Sequence, residues 1–486
     1  MAKIRTRFAP SPTGYMHIGN LRTALYAYLL AKHDKGDFIL RIEDTDQERY
    51  VEGAVEVIFK SLKSAGLIHD EGPDIGGDYG PYIQSQRRSI YLEYAKKLVE
   101  LGGAYYCFCD EDRLEQVRQT QKAAKQTPKY DGHCKSLTKE EIEHKLAAGM
   151  PYVIRQKIPE EGVTSFDDVV YGHISIENHE LDEGILLKSD GLPTYNFANV
   201  VDDHLMGITH IIRGSEYLTS TPKYNLLYQA FGWEVPTYIH VAPIVKEGGA
   251  KYSKRNGDAS YEDFLSMGYL KEAVINYIAL LGWNPGTEQE IFTMDGLIEA
   301  FGIQGISKSP AVFDIKKLNW MNGEYLRAKT PEEFYELALP YLKQAVTSPN
   351  ANLRLLSDLL QKRCEKLSDI PESVDFIDHM GQHDETLYIS KKMKTNPQIS
   401  LEMLQKIKET LEGVTNWTEE AIQQALSKLI ERLDVKNGVV LFPLRAAVSG
   451  KTVTPGGGVE LAAILGREET LRRISGEISF LQSVVV

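Results

Sequence analysis

Residues 4–9 and 37–42 read as two short buried strands. Between them Leu21, Ala24, Leu25, Tyr28 and Leu29 recur at helical spacing. Strand, helix and strand in that order open a Rossmann-like, doubly wound parallel α/β sheet. A second helical stripe, Tyr91, Tyr94, Ala95, Leu98 and Val99, is stopped by Gly102-Gly103. The pattern then changes from about Ala104 to Leu187. A polar stretch runs from Gln116 to Lys129, and β-rich segments lie around Tyr152–Ile158 and Val169–Ile176. This reads as an α+β domain, residues 104–187, inserted into the parallel fold formed by 1–103 and 188–250. Residues 251–325 read as a mostly helical connector. The remainder, 326–486, reads as all-helical, as at Leu401, Met403, Leu404, Ile407 and Leu411, and is long enough for two subdomains. Pro455-Gly456-Gly457-Gly458 breaks it near the end.

Composition narrows the class. At 486 residues, about three domains are expected rather than one core. The hydrophobic fraction of 42% is that of an ordinary soluble chain, and no apolar run approaches the ~20 residues of a membrane span. The start, Met1-Ala2-Lys3-Ile4-Arg5, lacks the apolar stretch of a signal peptide. Four cysteines in so long a chain do not make a disulfide framework. A cytoplasmic protein with no membrane partner is expected. The net charge of −13 argues against a uniformly basic nucleic-acid binder, but local patches matter more than the total. Residues 326–486 carry a net −2, against −11 for the rest. Within them Lys391-Lys392-Met393-Lys394 and Arg472-Arg473 are basic clusters, read either as solvated helix faces or as nucleic-acid contacts.

Two short motifs carry the chemistry. Pro10-Ser11-Pro12-Thr13-Gly14-Tyr15-Met16-His17-Ile18-Gly19-Asn20 reads as a strand end, a turn and a helix start. A helix start preceded by a donor suits the phosphates of a nucleotide. Lys251-Tyr252-Ser253-Lys254-Arg255 follows Glu247-Gly248-Gly249-Ala250 and reads as a mobile basic loop whose lysines can neutralise charge developing on phosphates. Together, in this order, they resemble the paired ATP-binding motifs of class I aminoacyl-tRNA synthetases. Three further segments sharpen the likeness: Arg7-Phe8-Ala9-Pro10-Ser11-Pro12-Thr13-Gly14, Arg41-Ile42-Glu43-Asp44-Thr45-Asp46, and Leu192-Pro193-Thr194-Tyr195-Asn196-Phe197-Ala198-Asn199-Val200-Val201-Asp202-Asp203-His204. With them the chain resembles bacterial glutamyl-tRNA synthetases, most strongly over its first two thirds.

That resemblance implies ATP-dependent ligation of L-glutamate to tRNA(Glu), with tRNA(Gln) left open as a second acceptor. It also implies Mg²⁺ accompanying ATP and a monomeric enzyme. Residues 104–187 would bind the acceptor end, 251–325 would contact the stem, and 326–486 would bind the anticodon. ATP would be held by Pro10, His17, Gly19, Asn20, Lys251, Ser253, Lys254 and Arg255, with His17, Lys251 and Lys254 catalytic. His17 would donate beside the α-phosphate, and Gly19 would let adenine approach the backbone. Asn20 stands where the class motif has a second His. Arg7, Ser11, Glu43, Tyr195, Asn199, Arg213 and Glu216 would form the glutamate pocket. Arg7 and Arg213 can each fork onto a carboxylate and Glu43 can accept the ammonium; which arginine takes the side-chain carboxylate stays open.

Cys107, Cys109 and Cys134 are similar to the zinc site of some of these enzymes. The His two positions after the last Cys is Ser136 here, and Tyr130 stands where some relatives use a Tyr ligand. A zinc site of Cys107, Cys109, Tyr130 and Cys134, with His133 an adjacent alternative, competes with three reduced thiols in a small core. Cys364 reads as a core residue. Four rival readings are a glutaminyl-tRNA synthetase, a shorter tRNA-modifying relative without a C-terminal domain, a non-catalytic tRNA-binding relative and a small-molecule nucleotidyltransferase. The glutamyl-type Pro10–Gly14 and Arg41–Asp44 segments, the chain's length, intact His17, Lys251 and Lys254, and the long helical remainder argue against them in turn.

Overall fold

The computed structural model describes residues 3–14, 16–252, 258–349, 351–381 and 383–485. The chain forms two compact units, Met1–Phe264 with Val274–Asp314, and Leu265–Ala273 with Ile315–Val486.

The first unit is built on parallel strands. β1 (Arg5–Phe8), α1 (Ile18–His33) and β2 (Asp37–Leu40) form the expected βαβ unit, with Arg5 opposite Asp37 and Phe8 opposite Leu40. α1 is buried along nearly its whole length, including Leu21, Ala24, Leu25, Tyr28 and Leu29. α2 (Ala54–Ser64) and α3 (Arg88–Glu100) follow. β3 (Ala104–Cys107), α4 (Glu111–Ala123), α5 (Lys139–Ala147) and β4 (Val153–Gln156) come next. Then come β5 (Val163–Asp168), β6 (Gly172–Glu177), β7 (Ile185–Leu187) and α6 (Tyr195–Leu205). β8 (His210–Gly214), α7 (Thr221–Phe231) and β9 (Thr237–Val241) make a second parallel βαβ. The Thr209 N–H donates to the Arg5 carbonyl, which sets β8 beside β1.

The segment 104–187 divides between two sheets. β3, β4 and β7 form their own antiparallel sheet, whereas β5 joins β9 through Asp168 and Tyr238. The β-rich stretch Val169–Ile176 is not one strand. Residues 169–171 form the turn of the β5–β6 hairpin, and Gly172 begins β6 at a φ of 77°. The turn residues Val169, Val170 and Tyr171 are themselves strand formers, which hides the reversal.

The second unit is helical. Its buried apolar residues form one contiguous cluster that runs from Leu270 and Ala273 through Phe334, Leu356, Ile407 and Leu444 to Leu481. Cys364 lies in it as expected, and burial pushes its thiol up to about 12. Thr330 and Glu333 form a capping box around Pro331, which starts the helix Pro331–Ala345. The Arg472-Arg473 pair is not one surface cluster. Arg472 is exposed, while Arg473 is buried and donates to the carbonyls of Phe376, Val448 and Ile377 at 2.7, 2.7 and 2.8 Å. Neighbouring helical residues point about 100° apart, so one arginine can face water and the other the core. Arg473→Ala leaves three carbonyls without a donor. It is expected to cost roughly 3 kcal/mol in denaturant unfolding, against less than about 0.5 for Arg472→Ala. Equal midpoints for the two variants would contradict this role. Lys391, Lys392 and Lys394 are exposed. Among the described residues no helix is long and apolar enough to cross a membrane.

Candidate active site

The site lies at the carboxyl ends of the parallel strands, where open α/β sheets bind ligands. After β1 the chain turns through Pro10–Gly14. The Thr13 N–H donates to the Ser11 carbonyl, and Gly14 sits at a φ of 122°. His17 then caps α1, its Nδ1 accepting from the Gly19 N–H at 3.4 Å. An accepting Nδ1 places the proton of the neutral ring on Nε2, the form that donates to a phosphate oxygen. A Cβ at Gly19 would meet nothing nearer than that Nδ1 at 3.8 Å, so the chain's own packing does not require glycine there. Pro10 is buried, Ser11 and Asn20 are exposed, and the Pro10 carbonyl accepts the Glu43 N–H at 3.0 Å.

The second motif meets the first. Gly248 and Gly249, at φ 94° and 87°, make the tight turn in which the Lys246 N–H donates to the Ala250 carbonyl. Lys251 is exposed and bridges to Val245. Tyr252 is buried against Phe313 at 4.7 Å and presents its ring edge-on to His17 at 6.2 Å. Ser253, Lys254 and Arg255 lie outside the described residues.

Below the turn is a closed ionic lattice. α6 carries Tyr195, Asn199, Asp202 and Asp203 at i, i+4, i+7 and i+8, which is one helix face. Asp203 Oδ1 accepts from Arg7 Nε at 3.0 Å and from Arg41 Nη1 at 2.8 Å. Arg41 Nη2 donates to Glu43 Oε1 at 2.9 Å, and Arg87 Nε donates to Asp202 at 2.8 Å. Burial alone would raise the Asp203 carboxyl, but the Arg7 and Arg41 charges more than offset this and hold it low. At Glu43 burial wins over the same arginines and the carboxyl is pushed up. Three arginines thus face three carboxylates, and Arg7 is already committed to Asp203.

Arg213 differs. It is buried on β8, yet among the described residues no carboxylate forms an ion pair with it. Its Nε donates to His240 Nε2 at 3.0 Å and its Nη2 to Thr221 Oγ1 at 2.8 Å. The rings of Tyr217, Tyr224 and Tyr238 surround it at 5.3, 4.7 and 5.2 Å. Tyr195 stands 5.4 Å from Tyr217, and burial pushes its hydroxyl up. The Asn199 amide Nδ2 is buried without a hydrogen-bond partner, a state that folded proteins rarely leave unanswered. Glu216 folds back over Gly214, where a Cβ would collide with its carboxyl. Behind Arg213, His240 Nδ1 lies 2.7 Å from Asp168 Oδ2. Arg41, Asp202 and Asp203 stand in the motifs named above, and only the structure gives them a role. Asp168, Thr221 and His240 belong to no motif, so nothing in the sequence around them points to this site.

In the antiparallel sheet region, Cys107, Cys109 and Cys134 bring their sulfurs within 4.8 Å of one another. The Tyr130 hydroxyl is 3.4 Å from Cys107 Sγ and 3.5 Å from Cys109 Sγ, and Cys109 and Cys134 are 3.5 Å apart. Four donors around zinc at ~2.3 Å stand ~3.8 Å apart, close to this spacing. His133 is exposed and outside the cluster, and Ser136 turns back to the His133 carbonyl.

This fold with this site defines a class I tRNA synthetase of the glutamate and glutamine group. The family of class I tRNA synthetases (E and Q), catalytic domain, matches residues 3–320, and an anticodon binding domain matches 333–478. A glutamate–tRNA ligase of Clostridium botulinum is 61% identical over 99% of both chains, and one of Clostridium tetani is 59% identical over 99% of both. The crystal structure of a glutamate tRNA ligase from Elizabethkingia meningosepticum, in complex with its amino acid, superposes with a TM-score of 0.88. It is 37% identical and matches over 99% of this chain and all of that one. The chain belongs to the glutamate–tRNA ligase family.

Proposed function

We propose that the chain activates L-glutamate with ATP and transfers the glutamyl group to the 3′ end of tRNA(Glu). The observation that carries this reading is Arg213, a buried guanidinium bonded only to neutral groups and walled by tyrosines. A ligand carboxylate completes it. The reacting α-carboxylate must lie by the His17 turn, and Glu43, tied to the Pro10 carbonyl, accepts the ammonium beside it. The far end of the amino acid then reaches Arg213, so Arg213 takes the side-chain carboxylate. Arg7 braces the pocket through Asp203, with Ser11 and Glu216 at its rim. Tyr195 and the unpartnered Asn199 amide line it.

His17 Nε2 donates to the α-phosphate as the carboxylate oxygen attacks. Pro10, Gly19 and Asn20 shape the nucleotide side, and Lys251, Ser253, Lys254 and Arg255 hold the departing pyrophosphate. Mg²⁺ travels with ATP. With tRNA present, ATP–pyrophosphate exchange is expected with glutamate and not with glutamine, because a carboxamide leaves Arg213 without a counter-charge. Exchange driven better by glutamine would sink this assignment.

Residues 104–187 receive the acceptor end and 326–486 the anticodon. Cys107, Cys109, Cys134 and Tyr130 hold a zinc ion that ties strand β3 to the 130–134 turn, a structural rather than a chemical role. Protein purified without chelator should carry about one zinc per chain by elemental analysis, and Tyr130→Phe should lose most of it. Zinc-free wild-type protein, or full occupancy in Tyr130→Phe, would refute this ligand set.

A further inference from the structure

We propose that Asp168 and His240 are positioning residues that set glutamate specificity by fixing the orientation of the Arg213 guanidinium. The inference rests on the reading of Arg213 as the side-chain carboxylate anchor.

Its basis is a one-way chain of hydrogen bonds. An arginine Nε–H can only donate. His240 Nε2, 3.0 Å away, must therefore accept, and the ring proton must sit on Nδ1. Nδ1–H points at Asp168 Oδ2 at 2.7 Å, and the same oxygen also accepts the His240 backbone N–H at 3.1 Å. Asp168 Oδ1 is held in turn by the N–H groups of Val170 and Tyr171 at 3.0 and 2.8 Å. All four donors converge on one carboxylate at the end of β5, buried together with His240. Burial also lowers the His240 pKa, in keeping with a neutral ring.

The consequence falls on Arg213. Its Nε and one Nη2 proton are the side edge of the guanidinium, directed at His240 and Thr221. That leaves the end edge, Nη1 with the second Nη2 proton, for a ligand carboxylate. A fork held in one plane binds two oxygens of a carboxylate well and a carboxamide poorly. Without the relay the guanidinium can turn in its cage of tyrosine rings, which hold it but do not orient its edges.

Asp168→Asn breaks the relay at its base. Its four neighbours are all donors, so an NH₂ group must face one pair of them. If it faces His240, the tautomer reverses and Nε2–H meets Arg213 Nε–H head on. His240→Gln keeps an oxygen for Arg213 and no longer needs the tautomer. The test is pyrophosphate exchange on the full-length enzyme with tRNA, with KM and kcat for glutamate and KM for ATP measured for both variants and for the double variant.

Asp168→Asn is expected to raise KM for glutamate about ten-fold or more, the scale of losing an orienting partner, with KM for ATP within about two-fold. His240→Gln should do less. Adding Asp168→Asn to His240→Gln should cost little more, because the link is already cut. An unchanged glutamate KM in folded Asp168→Asn and His240→Gln, or fully multiplicative effects, would overturn the relay. If Asp168→Asn does not fold, His240→Leu, which removes the acceptor facing Arg213 Nε, decides instead, and a KM change under about two-fold there counts against the proposal. Arg213→Ala, run alongside, separates the two ideas. If it too leaves glutamate KM unchanged, the anchor reading has failed; if it alone collapses activity, only the relay has.

Discussion

Arg213→Ala is expected to reduce glutamate-dependent pyrophosphate exchange to background, a loss of at least about 10³-fold in kcat/KM, while the protein stays folded. Removing one member of a buried charge pair costs roughly 3–5 kcal/mol, because the other charge is left in a site that cannot solvate it. Here the stranded group is the ligand carboxylate, facing Tyr217, Tyr224 and Tyr238. The free enzyme should tolerate the change, since among the described residues Arg213 gives up hydrogen bonds to His240 and Thr221 and contacts with tyrosine rings but no ion pair with a carboxylate. Arg213→Lys should recover little, because an ammonium cannot donate to His240, Thr221 and two ligand oxygens in one plane. Steady-state exchange with circular dichroism as a folding control checks this. Activity within ten-fold of wild type in a folded Arg213→Ala protein would remove the basis for the pocket.

A loss of similar kind is expected at Lys254. Lys254→Ala should lower kcat for adenylate formation by at least ~10²-fold, the effect of removing one donor aimed at charge that exists only in the transition state. KM for ATP should move much less, because ground-state contacts from the His17 turn remain. Lys251 bridges to Val245, and Tyr252 lies against Phe313 with His17 edge-on to its ring, so the last described residues before Lys254 stand at the His17 turn. Rapid-quench measurement of adenylate separates chemistry from product release. Equal drops in ATP affinity and turnover would instead indicate a plain binding role.

Local pattern was enough for the parts of this protein that are local. The βαβ unit at the N-terminus and the helix start after the Pro10–Gly14 turn depend on residues within a few positions of one another, and each is legible as written. The β-rich Val169–Ile176 stretch shows the limit: Val169, Val170 and Tyr171 have strand-forming side chains yet make a hairpin turn, and only Gly172 marks the reversal. Arg472 and Arg473 look alike in a row of letters but sit on different faces of their helix. The Arg213 site shows the larger gap. His240 and Asp168 lie 27 and 45 positions from Arg213 on other strands, and nothing near them in the chain announces a shared purpose. Likewise the commitment of Arg7 to Asp203 joins β1 to a helix far along the chain, which no spacing within either motif reveals.

The most direct test of the account is aminoacylation. Purified protein, ATP, Mg²⁺ and a tRNA(Glu) transcript are incubated with labelled glutamate or labelled glutamine, and acid-precipitable label is followed. The account predicts ATP-dependent charging with glutamate and none above background with glutamine. Charging with glutamine in preference to glutamate, or ATP-dependent activation of glutamate with no transfer to tRNA, would contradict it.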